Sequence, residues 1–103
     1  MPHPSLTAAE AERLECLAEE CGEVIQAITK IQRHGYLSHN PDVPVDGNNR
    51  DHLEKELGDL EGIMNLMIRR GDLNASSVAH HALYKVPRAR PYLHHQDLGD
   101  YEG

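Results

Sequence analysis

The sequence predicts an all-α chain, a helical hairpin followed by a short third helix. Three observations support this. Apolar residues recur at alternating spacings of four and three in two long stretches. Each stretch has a capping residue before it and a glycine after it. The segment between them is rich in Pro, Gly, Asn and Asp and has no period, so it reads as a connection.

The first helix is expected over about residues 8–34. Thr7 followed by Glu10 is a capping-box signature, and Leu14, Leu17, Cys21, Val24, Ile28 and Ile31 form the apolar stripe. Gly35 stops it. The loop "GYLSHNPDVPVDGNN", 35–49, is long for a helical hairpin, which suggests a function of its own. A second helix is expected over about 50–70, with Asn49 as N-cap, Leu53, Leu57, Leu60, Met64 and Met67 as its stripe, and Gly71 as its stop. A third, over about 74–86, should end before Pro87. The remainder, 87–103, reads as a tail that docks on a neighbour or is partly disordered.

The core available to these helices is small. Leu, Ile and Val make up 22 of 103 residues, and Trp and Phe are absent. A chain of this length buries only about 60 to 65% of its unfolded surface. The helices are therefore expected to cover one another across a subunit interface as well as within the chain.

A formal net charge of −7 gives no general attraction for nucleic acid or an anionic membrane, and an anionic ligand would need a bridging cation. Cys16 and Cys21 diverge on one helix and do not suggest a disulfide framework, so the chain is expected to be reduced and cytoplasmic. The start "MPHPSLTAAE" lacks the pattern of a signal peptide, and no apolar run approaches a membrane span.

"ECGEV" (20–24) and "ELGDL" (56–60) share one pattern: Glu, apolar, Gly, acid, apolar. At about 100° per residue, Glu20 and Glu23 lie on one flank of the first stripe, with Glu56 and Asp59 on the same flank of the second. Antiparallel packing with the two segments level brings four carboxylates together at the edge of the core. Left uncompensated they would repel one another and take up protons. A hard divalent cation such as Mg²⁺ removes that penalty and keeps room for water and phosphate oxygens. Gly22 and Gly58 stand between the acids of each pair, where a missing side chain would admit a close neighbour or a ligand.

The order "EECGEVIQAITK", "RHG", a loop, then "NRDHLEKELGDLEGIMNLM" resembles the MazG-type all-α nucleoside triphosphate pyrophosphohydrolases, whose signature is ExxE followed after a spacer by ExxD. The likeness covers residues 14–70 well and the tail weakly, and the spacer of 32 residues between Glu23 and Glu56 is longer than in compact members. The resemblance implies a homodimer or homotetramer built from four-helix units, and Mg²⁺-dependent cleavage of NTP or dNTP to the monophosphate and pyrophosphate, with Mn²⁺ as the alternative ion. By motif match Glu20, Glu23, Glu56 and Asp59 become metal ligands. Glu19, just before them, is the candidate catalytic residue that orients or deprotonates the attacking water, or else binds a second ion.

Lys30 falls near the flank of Glu20 and Glu23, with His34 close by, and is a candidate phosphate contact; Arg33 points further round. Lys85, Arg88 and Arg90 form the densest basic patch, and the resemblance implies phosphate contacts there. Tyr36, Tyr84 and Tyr92 are rings able to stack on a base. The eight histidines include two adjacent pairs, His80/His81 and His94/His95, and no HExxH or Cys/His zinc spacing occurs. No Glu is followed three residues later by His, as a ferritin-like di-iron site requires, and there is no phosphate-binding GxxxxGK[ST] loop. The alternative from another class is a non-catalytic helical oligomerisation or nucleotide-sensing module.

Overall fold

The structure is a computed structural model that describes residues 3–39, 41–42 and 47–99; the parts of the expected loop and tail at 40, 43–46 and 100–103 lie outside the described residues. The described residues form three α-helices, α1 (Ala8–His34), α2 (Asn49–Arg69) and α3 (Ala75–Ala89), and contain no strand. They fall into two compact units, Met1–Asp72 with α1 and α2, and Leu73–Gly103 with α3.

In the first unit α1 begins as the sequence suggests. The Thr7 hydroxyl accepts from the Glu10 N–H at 3.0 Å, and the Glu10 carboxylate accepts from the Thr7 N–H at 2.8 Å. Two backbone donors that the helix leaves orphaned are thereby satisfied. Gly35 takes a positive φ of 84° and its N–H donates to Ile31. The cap of α2 is Asn48, one residue earlier than expected. Asn48 and Asp51 exchange side-chain to backbone hydrogen bonds, both 3.0 Å, while the Asn49 amide donates instead to the Gly35 carbonyl. With an Asp three residues beyond it, Asn48 completes a reciprocal box that Asn49, followed by His52, does not.

The hairpin is antiparallel and tied at both ends. At one end the Asn49 and Arg50 N–H groups donate to Ser38 and Tyr36, and the Arg50 guanidinium lies 4.9 Å from the Tyr36 ring centroid. At the other, Arg13 near the start of α1 grips Asp72 just past the end of α2 with two hydrogen bonds of 2.6 and 2.9 Å. Hydrogen bonding from Arg13 holds the Asp72 carboxyl below its usual range, and Asp72 raises Arg13 in return.

Packing between α1 and α2 uses only part of the expected stripes. The seam on α1 follows Arg13, Leu17, Glu20, Val24, Ala27 and Ile31, and that on α2 follows Leu53, Glu56, Leu60, Ile63 and Met67. Among the described residues only Ala27, Met67 and Glu56 are buried. Leu14, Cys21, Ile25, Ile28 and Leu57 are exposed, Ile25 at 61%. On α1 the exposed apolar residues lie about a quarter-turn round from the seam at 100° per residue. The apolar arc is thus wider than one neighbouring helix can cover, and the seam runs along the edge that carries the acids. This corrects the expectation that the carboxylates flank the packed stripe: Glu20 and Glu56 occupy seam positions.

In the second unit Asn74 caps α3, accepting from the Ser77 N–H at 2.9 Å. The helix does not stop before Pro87. It continues to Ala89 and passes into a 3-10 turn over Arg90–Tyr92. A proline within a helix removes one backbone donor and crowds the carbonyl four residues back. Just beyond it the Arg88 guanidinium donates to the carbonyls of Tyr84 and His81, at 3.2 and 3.3 Å, rather than to that of Leu83, which loses its donor. No residue of α3 is buried.

Candidate metal centre

Glu20 of α1 meets Glu56 and Asp59 of α2. One carboxylate oxygen from each lies within 4.8 Å of the others. The three differ in surroundings: Glu56 is 5% exposed, Glu20 is half-buried, and the Asp59 side chain is 43% exposed at the rim. Burial, with the charges of Asp59 and Glu56, pushes the Glu20 carboxyl above its usual value, and Lys55 partly opposes that.

Two side chains besides the acids join the group: Lys55, which matches Glu19 when the two motifs are aligned, and His52, which the motifs leave out. Lys55 Nζ donates to Asp59 at 2.8 Å and to Glu56 at 3.5 Å, and His52 Nε2 lies 3.3 Å from Glu56. The hydrogen bond to Asp59 and the nearby carboxylate charges raise the Lys55 ammonium above the usual lysine value. Both were legible as helix neighbours, His52 with Glu56 and Lys55 with Asp59 being four apart.

The donor set suits a hard cation. Three oxygens no more than 4.8 Å apart surround a centre no further than about 2.8 Å from each, and small rotamer shifts close that to the 2.0 to 2.1 Å of Mg²⁺. Oxygen donors without thiolate or ring nitrogen favour Mg²⁺, Mn²⁺ or Ca²⁺ over softer ions.

Glu23 is half-buried one turn beyond Glu20 and stands outside the three-carboxylate group. Glu19 is exposed, and its charge contributes to raising Glu20. Lys30 and Arg33 are exposed further along α1. Ten residues place Lys30 about 15 Å along the axis from Glu20, so the two do not share one ligand oxygen. Lys85 and Arg88 are exposed on α3 in the second unit. A Cβ placed on Gly22 or Gly58 would meet nothing within 4 Å, so contact between α1 and α2 does not account for either glycine. Cys16 and Cys21 are free thiols.

With paired acids on facing helices in view, a family comparison decides the kinship: the MazG nucleotide pyrophosphohydrolase domain matches residues 9–94. The chain belongs to the MazG family. Among curated proteins and solved structures no match was found. The match takes in all three helices and agrees with the all-α architecture of a MazG domain. Membership implies a hydrolase of the nucleotide pyrophosphohydrolase kind, and the acidic cluster is consistent with the metal dependence typical of MazG proteins. No helix among the described residues is long and apolar enough to cross a membrane.

Proposed function

We propose that the chain is a Mg²⁺-dependent pyrophosphohydrolase that converts an NTP or dNTP to the monophosphate and pyrophosphate. The observation that carries this is the convergence of Glu20, Glu56 and Asp59 from two facing helices in a chain of the MazG family. Water attacks the α-phosphorus, a new P–O bond forms, and the bond to the bridging oxygen breaks with pyrophosphate as the leaving group. Glu20, Glu56 and Asp59 would hold the Mg²⁺, or Mn²⁺ in its place, and Glu23, one turn beyond Glu20 and outside their group, would turn in as a fourth carboxylate once the ion is bound. The ion supplies charge neutralisation at the phosphate oxygens and lowers the pKa of water.

The protein's own groups do the remainder. Glu19, beside Glu20 and exposed to solvent, takes the proton of the attacking water. Lys30, on the same flank of α1, reaches toward the outermost phosphate oxygens, whereas Arg33 lies about 20 Å along the axis from Glu20 and on another face. His52 fixes the orientation of Glu56 through the 3.3 Å contact, as partners of ligating carboxylates do. The uncovered apolar arc of Leu14, Ile25, Ile28 and Leu57 is the surface on which a second copy packs, giving a homodimer or homotetramer. We place the enzyme in the cytoplasm, where reduced thiols and nucleotide substrates occur together.

The test is a panel of NTPs and dNTPs assayed for pyrophosphate and monophosphate with and without Mg²⁺. Both products are expected, only with the metal. Absence of turnover for every nucleotide, or full turnover by Glu56→Gln, would sink the proposal. Metal-dependent nucleotide binding without turnover would instead mark a non-catalytic sensing module.

A further inference from the structure

Lys55 sits where a surface lysine has little reason to be fixed. Its side chain is 67% exposed, yet its ammonium turns back onto the rim of the acidic group, 2.8 Å from Asp59 and 3.5 Å from Glu56. An ordinary exposed pair of this kind is worth little, and lysine preceding its acid by four residues is the weaker orientation on a helix. The acceptors here are not ordinary. Glu56 is 5% exposed, with the carboxylates of Glu20 and Asp59 close by, so the group needs a nearby positive charge. A lysine is a compact charge on a long flexible stem, able to hold the position and to leave it. The sequence makes the same point: when "EECGEV" is laid on "KELGDL", Lys55 falls where the first motif carries Glu19.

We propose that Lys55 is an exchangeable counter-ion: its ammonium neutralises the carboxylate group in the metal-free protein and is displaced into solvent when a divalent cation binds Glu56 and Asp59. The inference rests on the metal-site reading above. Lysine and cation compete for the same oxygens, so Lys55 stabilises the empty protein and weakens its hold on metal. The exposed stem lets the ammonium swing away without disturbing the seam. Once displaced it stays beside the site as a positive group for a phosphate oxygen.

Isothermal titration with Mg²⁺ alone, and thermal melts with and without it, test this on the wild type, Lys55→Gln, Lys55→Met and Glu56→Gln. Both Lys55 variants should bind Mg²⁺ roughly three- to thirtyfold more tightly, the range spanned by a weak surface pair and a unit charge close to a divalent ion. Both should also melt lower without metal and gain more from it. A lysine with a merely structural role would lower the melting temperature without tightening Mg²⁺. Unchanged or weaker Mg²⁺ binding in both Lys55 variants, with binding weakened about thirtyfold or more in Glu56→Gln, overturns the counter-ion and leaves the metal site standing. No Mg²⁺ binding by any of the four proteins overturns both.

Discussion

Glu56→Gln probes the site most directly, because Glu56 is its most buried carboxylate and glutamine keeps the size and an oxygen acceptor. The three oxygens lie within 4.8 Å of one another, so an ion among them is closer than 4 Å to the charge removed. A unit charge 4 Å from a divalent ion contributes about 2 kcal/mol even at the dielectric constant of water, so Mg²⁺ should bind about thirtyfold more weakly, as a lower bound. Ligand binding to the folded state adds about 2.7 kcal/mol at a hundred times Kd, and about 0.9 kcal/mol at the same concentration after a thirtyfold loss. For a domain of this size each kcal/mol moves Tm by about 4 to 8 °C. The wild type should therefore gain about 11 to 22 °C at that Mg²⁺ concentration, and the variant about 3 to 7 °C. Differential scanning fluorimetry over a Mg²⁺ series, at fixed ionic strength, reads both. A variant that keeps the full wild-type gain would refute the assignment of Glu56 as a ligand, whatever the activity shows.

Three further perturbations address the frame around the site. Ala27→Leu forces three carbons into an enclosed point of the seam and should cost about 1 to 3 kcal/mol in urea unfolding; an unchanged midpoint would mean that the helices separate there more easily than the packing implies. Gly22→Ala adds a methyl group that meets nothing within 4 Å, so it should raise stability by about 1 kcal/mol from helix propensity alone, and a loss of stability would show that the space is filled in solution. Asp72, held by Arg13 below its ordinary value of 3.8, stabilises the fold at pH above that value, and its contribution disappears as pH falls through the lower folded-state pKa. The difference in urea midpoint between wild type and Asp72→Asn should be constant from about pH 5 upward and shrink progressively as pH falls below about 4; a difference that does not shrink at all on acidification would contradict the ion pair.

Much of this arrangement was legible in the sequence because it is local. Thr7 with Glu10, Gly35 and Gly71 mark helix ends by the conformations and hydrogen bonds that short segments impose on themselves. The matching of Glu20 with Glu56 and Asp59 was legible for a related reason: two helices of fixed period, joined as a hairpin, place equivalent motifs opposite one another. What was lost is tertiary. A stripe of alternating threes and fours shows which side of a helix is apolar but not which part of that side its neighbour within the chain takes, so Leu14, Cys21, Ile28 and Leu57 belong to the stripe yet are exposed in the single chain. Glu20 and Glu56 read as flank for the same reason. Arg13 and Asp72, 59 residues apart, leave no local trace of their pairing. Pro87 misled in the opposite direction, since α3 runs through it to Ala89 although a proline removes a backbone donor there.

The two ties of the hairpin differ in how much chain each must close. Between Tyr36 and Arg50 the separation is 14 residues, and between Arg13 and Asp72 it is 59. That is about two doublings of loop length, each adding roughly 0.6 kcal/mol to the entropy of closure. Folding that starts at the connecting turn therefore proceeds as a zipper, with the seam advancing past Ala27 and Glu20 toward the far end. The carboxylates come together midway, before the Arg13 clip is fastened. Opening from the clip end would fray α1 near its start and α2 near its finish while leaving the acidic group assembled, so the site is insulated from unfolding that begins at that end.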